Sequence, residues 1–151
     1  MIRFFTTLLF FQVMVTEAKN PDIKFPVANI RLSFLVFPFT PLMTVELRTF
    51  HRLTVQAETN FVNTHGVNLK YYIKARMKGH YVFTGVAFVQ NKLLREDRKI
   101  TFLPYAGYGY ALRFGKTKAW IFDSRIGIGP TVNANRNSVY PVIKTGIGRV
   151  F

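Results

Sequence analysis

Three histidines, His51, His65 and His80, are the side chains of this 151-residue chain best suited to metal binding or proton transfer, and none has a carboxylate at helical or hairpin spacing to complete a metal cluster. No His-Glu-x-x-His pair and no nucleophile elbow is present, and without cysteine there is no thiolate ligand, no cysteine nucleophile and no disulfide. The run Asn63-Thr64-His65-Gly66-Val67-Asn68 sets a histidine next to a hydroxyl, the one pairing that could activate an oxygen nucleophile. A histidine among Asn and Gly is more often a plain loop residue. The glycine pairs Gly107/Gly109, Gly127/Gly129 and Gly146/Gly148 mimic half of a dinucleotide fingerprint, but no third glycine follows and no strand-helix-strand context surrounds them. The expectation is therefore no catalytic residues, no metal and no cofactor.

The remaining charged residues point to structure. Glu46, Glu58 and Asp123 fall on the same alternating faces as Arg31, Arg48, Lys70, Arg113, Arg125 and Lys144. Carboxylates interleaved with cations on one strand face read as a neutralising network, since buried charge is tolerated only when paired. The whole chain carries 21 Lys+Arg against 7 Asp+Glu, a net charge of +14, with 49% hydrophobic and 16% aromatic residues. A chain this apolar orders itself despite its charge, and its length suits a single domain. So basic a chain invites a nucleic-acid reading, but the cations are dispersed among carboxylates, amides and glycines instead of forming one patch, and no nucleic-acid partner is expected.

The elements that must position these residues are strands. Met1-Ile2-Arg3, an apolar run from Phe4 to Val15 and the small residue Ala18 fit a secretory signal peptide over residues 1–18, leaving residues 19–151 as one β-barrel domain. From Pro26 onward the polarity alternates with period two. Val67, Leu69, Tyr71, Ile73 and Ala75 oppose Asn68, Lys70, Tyr72, Lys74 and Arg76; Leu53, Val55, Ala57 and Phe61 oppose Arg52, Thr54, Gln56, Glu58 and Asn60. Trp120, Phe122, Ile126 and Ile128 oppose Asp123, Arg125, Gly127 and Gly129. Further runs near 27–37, 42–49, 79–90, 100–114 and 139–151 bring the count to eight. The joints after strands 2, 4 and 6 are tight, whereas those after strands 3, 5 and 7 (Asn60–Gly66, Asn91–Lys99 and Thr131–Ser138) are longer and polar. That is the rhythm of an all-β, eight-stranded antiparallel up-and-down transmembrane barrel with both termini on the tight-turn side.

The same alternation turned inside out describes an exported, soluble, lipocalin-like barrel around a small apolar ligand, with Tyr71, Phe122 and Ile126 facing the cavity. Four features favour the membrane orientation, the export signal at the N-terminus being the first. The glycine pairs lie on the polar faces, where they would make room for long lumen residues such as Arg31, Arg48, Gln56, Glu58, Lys70 and Lys74. The aromatics Tyr71, Tyr81, Phe83, Phe102, Tyr108, Tyr110, Phe114, Trp120, Phe122 and Phe151 share the apolar faces, as interfacial girdles require. The run Lys144–Phe151 ends in alternating hydrophobics and an aromatic, with Gly146 and Phe151 at the marked positions of an outer-membrane assembly signal, although Arg149 stands where that signal has a hydrophobic residue. With these residues in place, and with the stretches Leu69–Phe88, Pro104–Trp120 and Phe122–Asn133, the chain resembles small eight-stranded bacterial outer-membrane barrels of OmpX/OmpA type and an uncharacterised family of such barrels.

The resemblance implies residence in the outer membrane of a Gram-negative cell, insertion by its assembly machinery, and a structural, adhesive or envelope-interaction role without catalysis. Leu69, Tyr71, Phe102, Trp120, Phe122 and Ile126 would face lipid. Some barrels of this kind remodel lipid A, which makes such an enzyme the less favoured alternative. Lys92, Arg95, Arg98 and Lys99 form an outer-loop basic patch suited to the phosphates of lipopolysaccharide. An eight-stranded lumen is filled by side chains, so passage of solutes is not expected.

Overall fold

The computed structural model of the chain describes residues 27–36, 40–74, 77–90, 100–132 and 139–151. The segment assigned to a signal peptide and the loop carrying Lys92, Arg95, Arg98 and Lys99 lie outside these residues. Every regular element described is a strand: β1 (Ala28–Leu35), β2 (Thr40–Arg48), β3 (Leu53–Thr59), β4 (Thr64–Tyr72), β5 (Gly79–Gln90), β6 (Ile100–Phe114), β7 (Trp120–Pro130) and β8 (Val139–Val150). Each pairs antiparallel with its sequence neighbours, and β1 pairs with β8 from Asn29↔Val150 to Leu35↔Lys144, closing the barrel. Closure leaves no strand edge unpaired, the main liability of a free sheet.

The turns follow local chemistry. At Thr49–Arg52 the amides of Thr49 and Phe50 both donate to the Leu53 carbonyl, at 3.0 and 3.1 Å. β5 starts at Gly79 with φ +84°, a conformation a side chain would strain. The joint between β3 and β4 is shorter than the expected Asn60–Gly66 loop. The Asn60 side chain accepts from the amides of Val62, Asn63 and Thr64 (2.9–3.0 Å), so four residues complete the reversal and His65 and Gly66 join β4.

Side chains alternate in and out along every strand, with the polar set inward. Asn29, Arg31, Thr44, Glu46, Thr54, Gln56, Glu58, Asn68, Lys70, Asp123, Arg125 and Lys144 are all buried, while Leu69, Tyr71, Ile126 and Ile128 are 45–61% exposed. β5 corrects one expectation. Tyr81 and Phe83, grouped above with the outward aromatics, point inward and are buried. β5 is apolar on both faces, so its own pattern cannot choose between them. The ladder chooses, because Phe83 pairs with inward Lys70 and Tyr81 with inward Tyr72.

The glycine pairs do make room in the lumen, but chiefly for rings. A Cβ on Gly109 would collide with the Tyr81 ring, one on Gly107 or Gly127 would come within 3 Å of Phe83 Cζ, and one on Gly129 would crowd Tyr105 Cβ at 2.8 Å. Of the long residues expected to need this space, Arg31 does, lying against Gly148. Lys74 sits exposed in the turn beyond β4. Gly109→Ala is therefore expected to destabilise the barrel by about 1–3 kcal/mol, the usual cost of overpacking. Urea unfolding should show this loss, and the loss should shrink when Tyr81 is also replaced by Ala.

Candidate functional site

The lumen is built as three layers. At the tight-turn end Met77, Ala111, Ile121 and Val150 are buried against one another and Tyr72. At the other end Ala87, Leu103 and Val142 line the interior with Leu35 and Tyr140 packed against them. Between these apolar layers lies a network of three carboxylates and four cations.

Glu46, on β2, collects five donors. Oε1 accepts from the hydroxyls of Thr54 (2.6 Å) and Tyr72 (2.9 Å); Oε2 accepts from Arg31 (2.8 Å), Asn29 (3.2 Å) and Lys70 (3.2 Å). Asp123, across the lumen on β7, accepts from Lys70 (2.9 Å) and the Tyr81 hydroxyl (2.8 Å). Arg31 Nη1 lies 2.9 Å from the same oxygen, in charge contact but off the hydrogen-bond axis. Lys70 thus bridges two carboxylates and rests 4.4 Å above the Tyr81 ring centroid. Nearer the loop end, Glu58 pairs with both Arg125 and Lys144 and accepts from Asn68, Tyr105 and Gln56, each at 3.0 Å. Gln56 joins the halves, accepting from Arg31 at 2.9 Å while donating to Glu58.

The structure thus brings together seven of the nine expected lumen residues: Arg31, Glu46, Glu58, Lys70, Asp123, Arg125 and Lys144. Arg113 faces inward but lies at the tight-turn end, half-buried, where it donates to the Lys118 carbonyl (2.9 and 2.6 Å) and joins no carboxylate of the network. Arg48 is likewise half-buried at that end of β2. Sequence reasoning missed the hydroxyls of Tyr81 and Tyr105 as network members. The signal available was their spacing opposite the glycine pairs.

Chemically, this arrangement fixes charge instead of using it. All three network carboxylates are held by cations and hydroxyls, with apolar layers toward both ends of the lumen. Arg31 Nε, Arg125 Nε and Nη1, Asn29 Oδ1 and Asn68 Oδ1 lack hydrogen-bond partners. Burying seven charges is costly in itself, and the cost is offset only as far as each charge meets its partners.

The histidines stand on three different elements. His51 is in the β2–β3 turn, His65 Nδ1 is bonded to the Thr59 hydroxyl across the β3–β4 pair at 2.8 Å, and His80 stacks outward on Tyr108 and edge-on to Tyr110. The Thr64 hydroxyl donates to Asn63 Oδ1, not to His65. Among the described residues no three His, Asp or Glu side chains gather into a metal-holding group.

The outer face is the reverse of the lumen. The residues expected to face lipid, Leu69, Tyr71, Phe102, Trp120, Phe122 and Ile126, all point outward and are 36–59% exposed. Register aligns Tyr71, Val82, Tyr108, Ile126 and Ile143 into one row across five strands. Outward aromatics gather at both ends. Tyr71, Tyr110, Phe114 and Trp120 lie toward the tight turns, and Phe88 packs on Phe102 (ring centroids 5.1 Å apart) toward the loops. At the C-terminus Gly146 faces Ser33, Phe151 is exposed, and the Arg149 guanidinium lies 5.7 Å from the Phe151 ring centroid. No protein-family model, curated protein or solved structure matches the chain.

Proposed function

We propose that the chain is an integral outer-membrane β-barrel of OmpX/OmpA-like kind in a Gram-negative envelope, with a structural, adhesive or envelope-interaction role and no catalysis. One observation carries the reading: between its rims the barrel turns its charges inward and presents its large hydrophobics to the surroundings. Leu32, Val67, Leu69, Tyr71, Val82, Leu112, Phe122, Ile126, Ile128 and Ile147 are each more than 40% exposed around the wall. A contiguous apolar patch larger than a few hundred Å² is unusual in water, whereas a continuous outward apolar band flanked by aromatics is what lipid requires. The soluble, ligand-holding alternative needs Tyr71, Phe122 and Ile126 inside and an apolar cavity there. Instead those residues are outside and the interior holds ion pairs.

The reading is tested by cell fractionation combined with gel mobility. The protein is expected in the outer-membrane fraction and, in detergent without boiling, as a compact band that migrates faster than the boiled form. A soluble periplasmic protein with no mobility difference would overturn the proposal.

A further inference from the structure

All three side-chain carboxylates among the described residues are inside the lumen, so the exposed side-chain charge on those residues is of one sign. It is also confined to one end. Arg52 lies in the β2–β3 turn, Lys74 and Lys78 in the β4–β5 turn, Lys116 and Lys118 in the β6–β7 turn, and Arg149 near the end of β8. All six are exposed, and none forms an ion pair with a described carboxylate. The described residues of the opposite rim, around 59–64 and 131–132, carry no Lys, Arg, Asp or Glu.

The collar stands directly beyond outward aromatics. Phe114 and Trp120 flank the β6–β7 turn that carries Lys116 and Lys118, Tyr71 precedes Lys74, and Arg149 overlies Phe151. Long cationic stems reaching past an aromatic belt place their heads at the plane where lipid phosphates lie. The six heads are spread around the rim instead of converging on a point. Such a distribution suits many separate monovalent phosphodiesters better than one multiply charged ion.

We infer that the tight-turn rim is a binding collar for anionic phospholipid headgroups in the leaflet it meets, phosphatidylglycerol being the representative chemistry. The inference rests on the membrane reading above. It is distinct from the expected lipopolysaccharide contact, which concerns the opposite end.

The test uses the full chain refolded into vesicles of phosphatidylcholine alone and of an equimolar phosphatidylcholine–phosphatidylglycerol mixture. Spin-labelled phosphatidylglycerol and phosphatidylcholine report which lipid is motionally restricted at the protein. The labelled phosphatidylglycerol should be enriched over phosphatidylcholine, and the enrichment should fall about tenfold or more in the quadruple variant Lys74→Gln, Lys78→Gln, Lys116→Gln, Lys118→Gln. These positions are exposed turn residues, and the compact unboiled band verifies that the variant is folded. Equal restriction of both lipids, or unchanged enrichment in the folded variant, would overturn the collar while leaving the membrane reading intact. Absence of a compact band in either vesicle would instead defeat the membrane reading. Displacement of the lipid by inorganic phosphate beyond that produced by chloride at equal ionic strength would show a free-phosphate site and overturn the lipid assignment. So would preference for a polyglutamate peptide over phosphatidylglycerol.

Discussion

Glu46→Ala is expected to cost the barrel about 3–5 kcal/mol, enough to remove a large part of the stability of a typical domain. Glu46 is fully buried and is the acceptor for Arg31, Lys70, Asn29, Thr54 and Tyr72. Removing it leaves two cations to share Asp123 and strands two hydroxyls and an amide in a site that the apolar layers separate from both ends. The loss comes mainly from those abandoned partners, not from the strength of the original bonds. Two controls follow. Arg113→Gln should cost about 1 kcal/mol or less, because that half-buried side chain serves only the carbonyl of the exposed turn residue Lys118. Replacing Glu46 and Lys70 together by Met should recover part of the loss, since an apolar pair leaves fewer uncompensated charges. Urea midpoints monitored by loss of the compact band or by Trp120 fluorescence give all three values. A Glu46→Ala barrel as stable as the parent would refute the account of the lumen.

If the barrel spans a bilayer as proposed, Ile126→Arg is expected to weaken insertion by about 2–4 kcal/mol, because Ile126 lies near the middle of β7 on the outward face and would then sit near the bilayer midplane. Near an interface the same change should cost only about 0–1 kcal/mol, so Tyr71→Arg, close to the tight-turn rim, should be mild. In water the prediction is different. A residue 59% exposed to solvent would tolerate arginine within about 0.5 kcal/mol. Folding yields into vesicles, compared for the two variants, thus read depth directly. Equal and negligible effects at both sites would indicate a barrel that meets water on its outer wall.

The alternation of polarity made the strand ladder and the inward set legible, because Asn68, Lys70, Asp123 and Arg125 stand out on otherwise apolar strands. It could not orient β5, whose two faces, Tyr81–Phe83–Ala87 and Val82–Val86–Phe88, are equally apolar. There the decision belongs to the pairing with β4, which is a property of two strands at once. Residue type also said nothing about who meets whom. That Lys70 would bridge Glu46 and Asp123, while Lys144 went to Glu58, depends on the stagger of the closed ladder. Lys74 and Arg113 were misplaced for a related reason: both follow the inward period but sit where the strand runs out into a turn. The β3–β4 joint was overestimated because one asparagine side chain replaced the backbone turn bonds that a longer loop would need.

The central network also dictates how the wall comes apart. Its partners are distant along the chain, with Lys70 and Asp123 separated by 53 residues, Glu58 and Arg125 by 67, and Glu58 and Lys144 by 86. No single hairpin holds a complete set. In a half-assembled sheet some of these partners are still apart, and the set is complete only when β8 reaches β1. Such a molecule has little reason to populate partly zipped forms. It should open and close as one cooperative unit, with the last seam acting as the step that commits the whole ring.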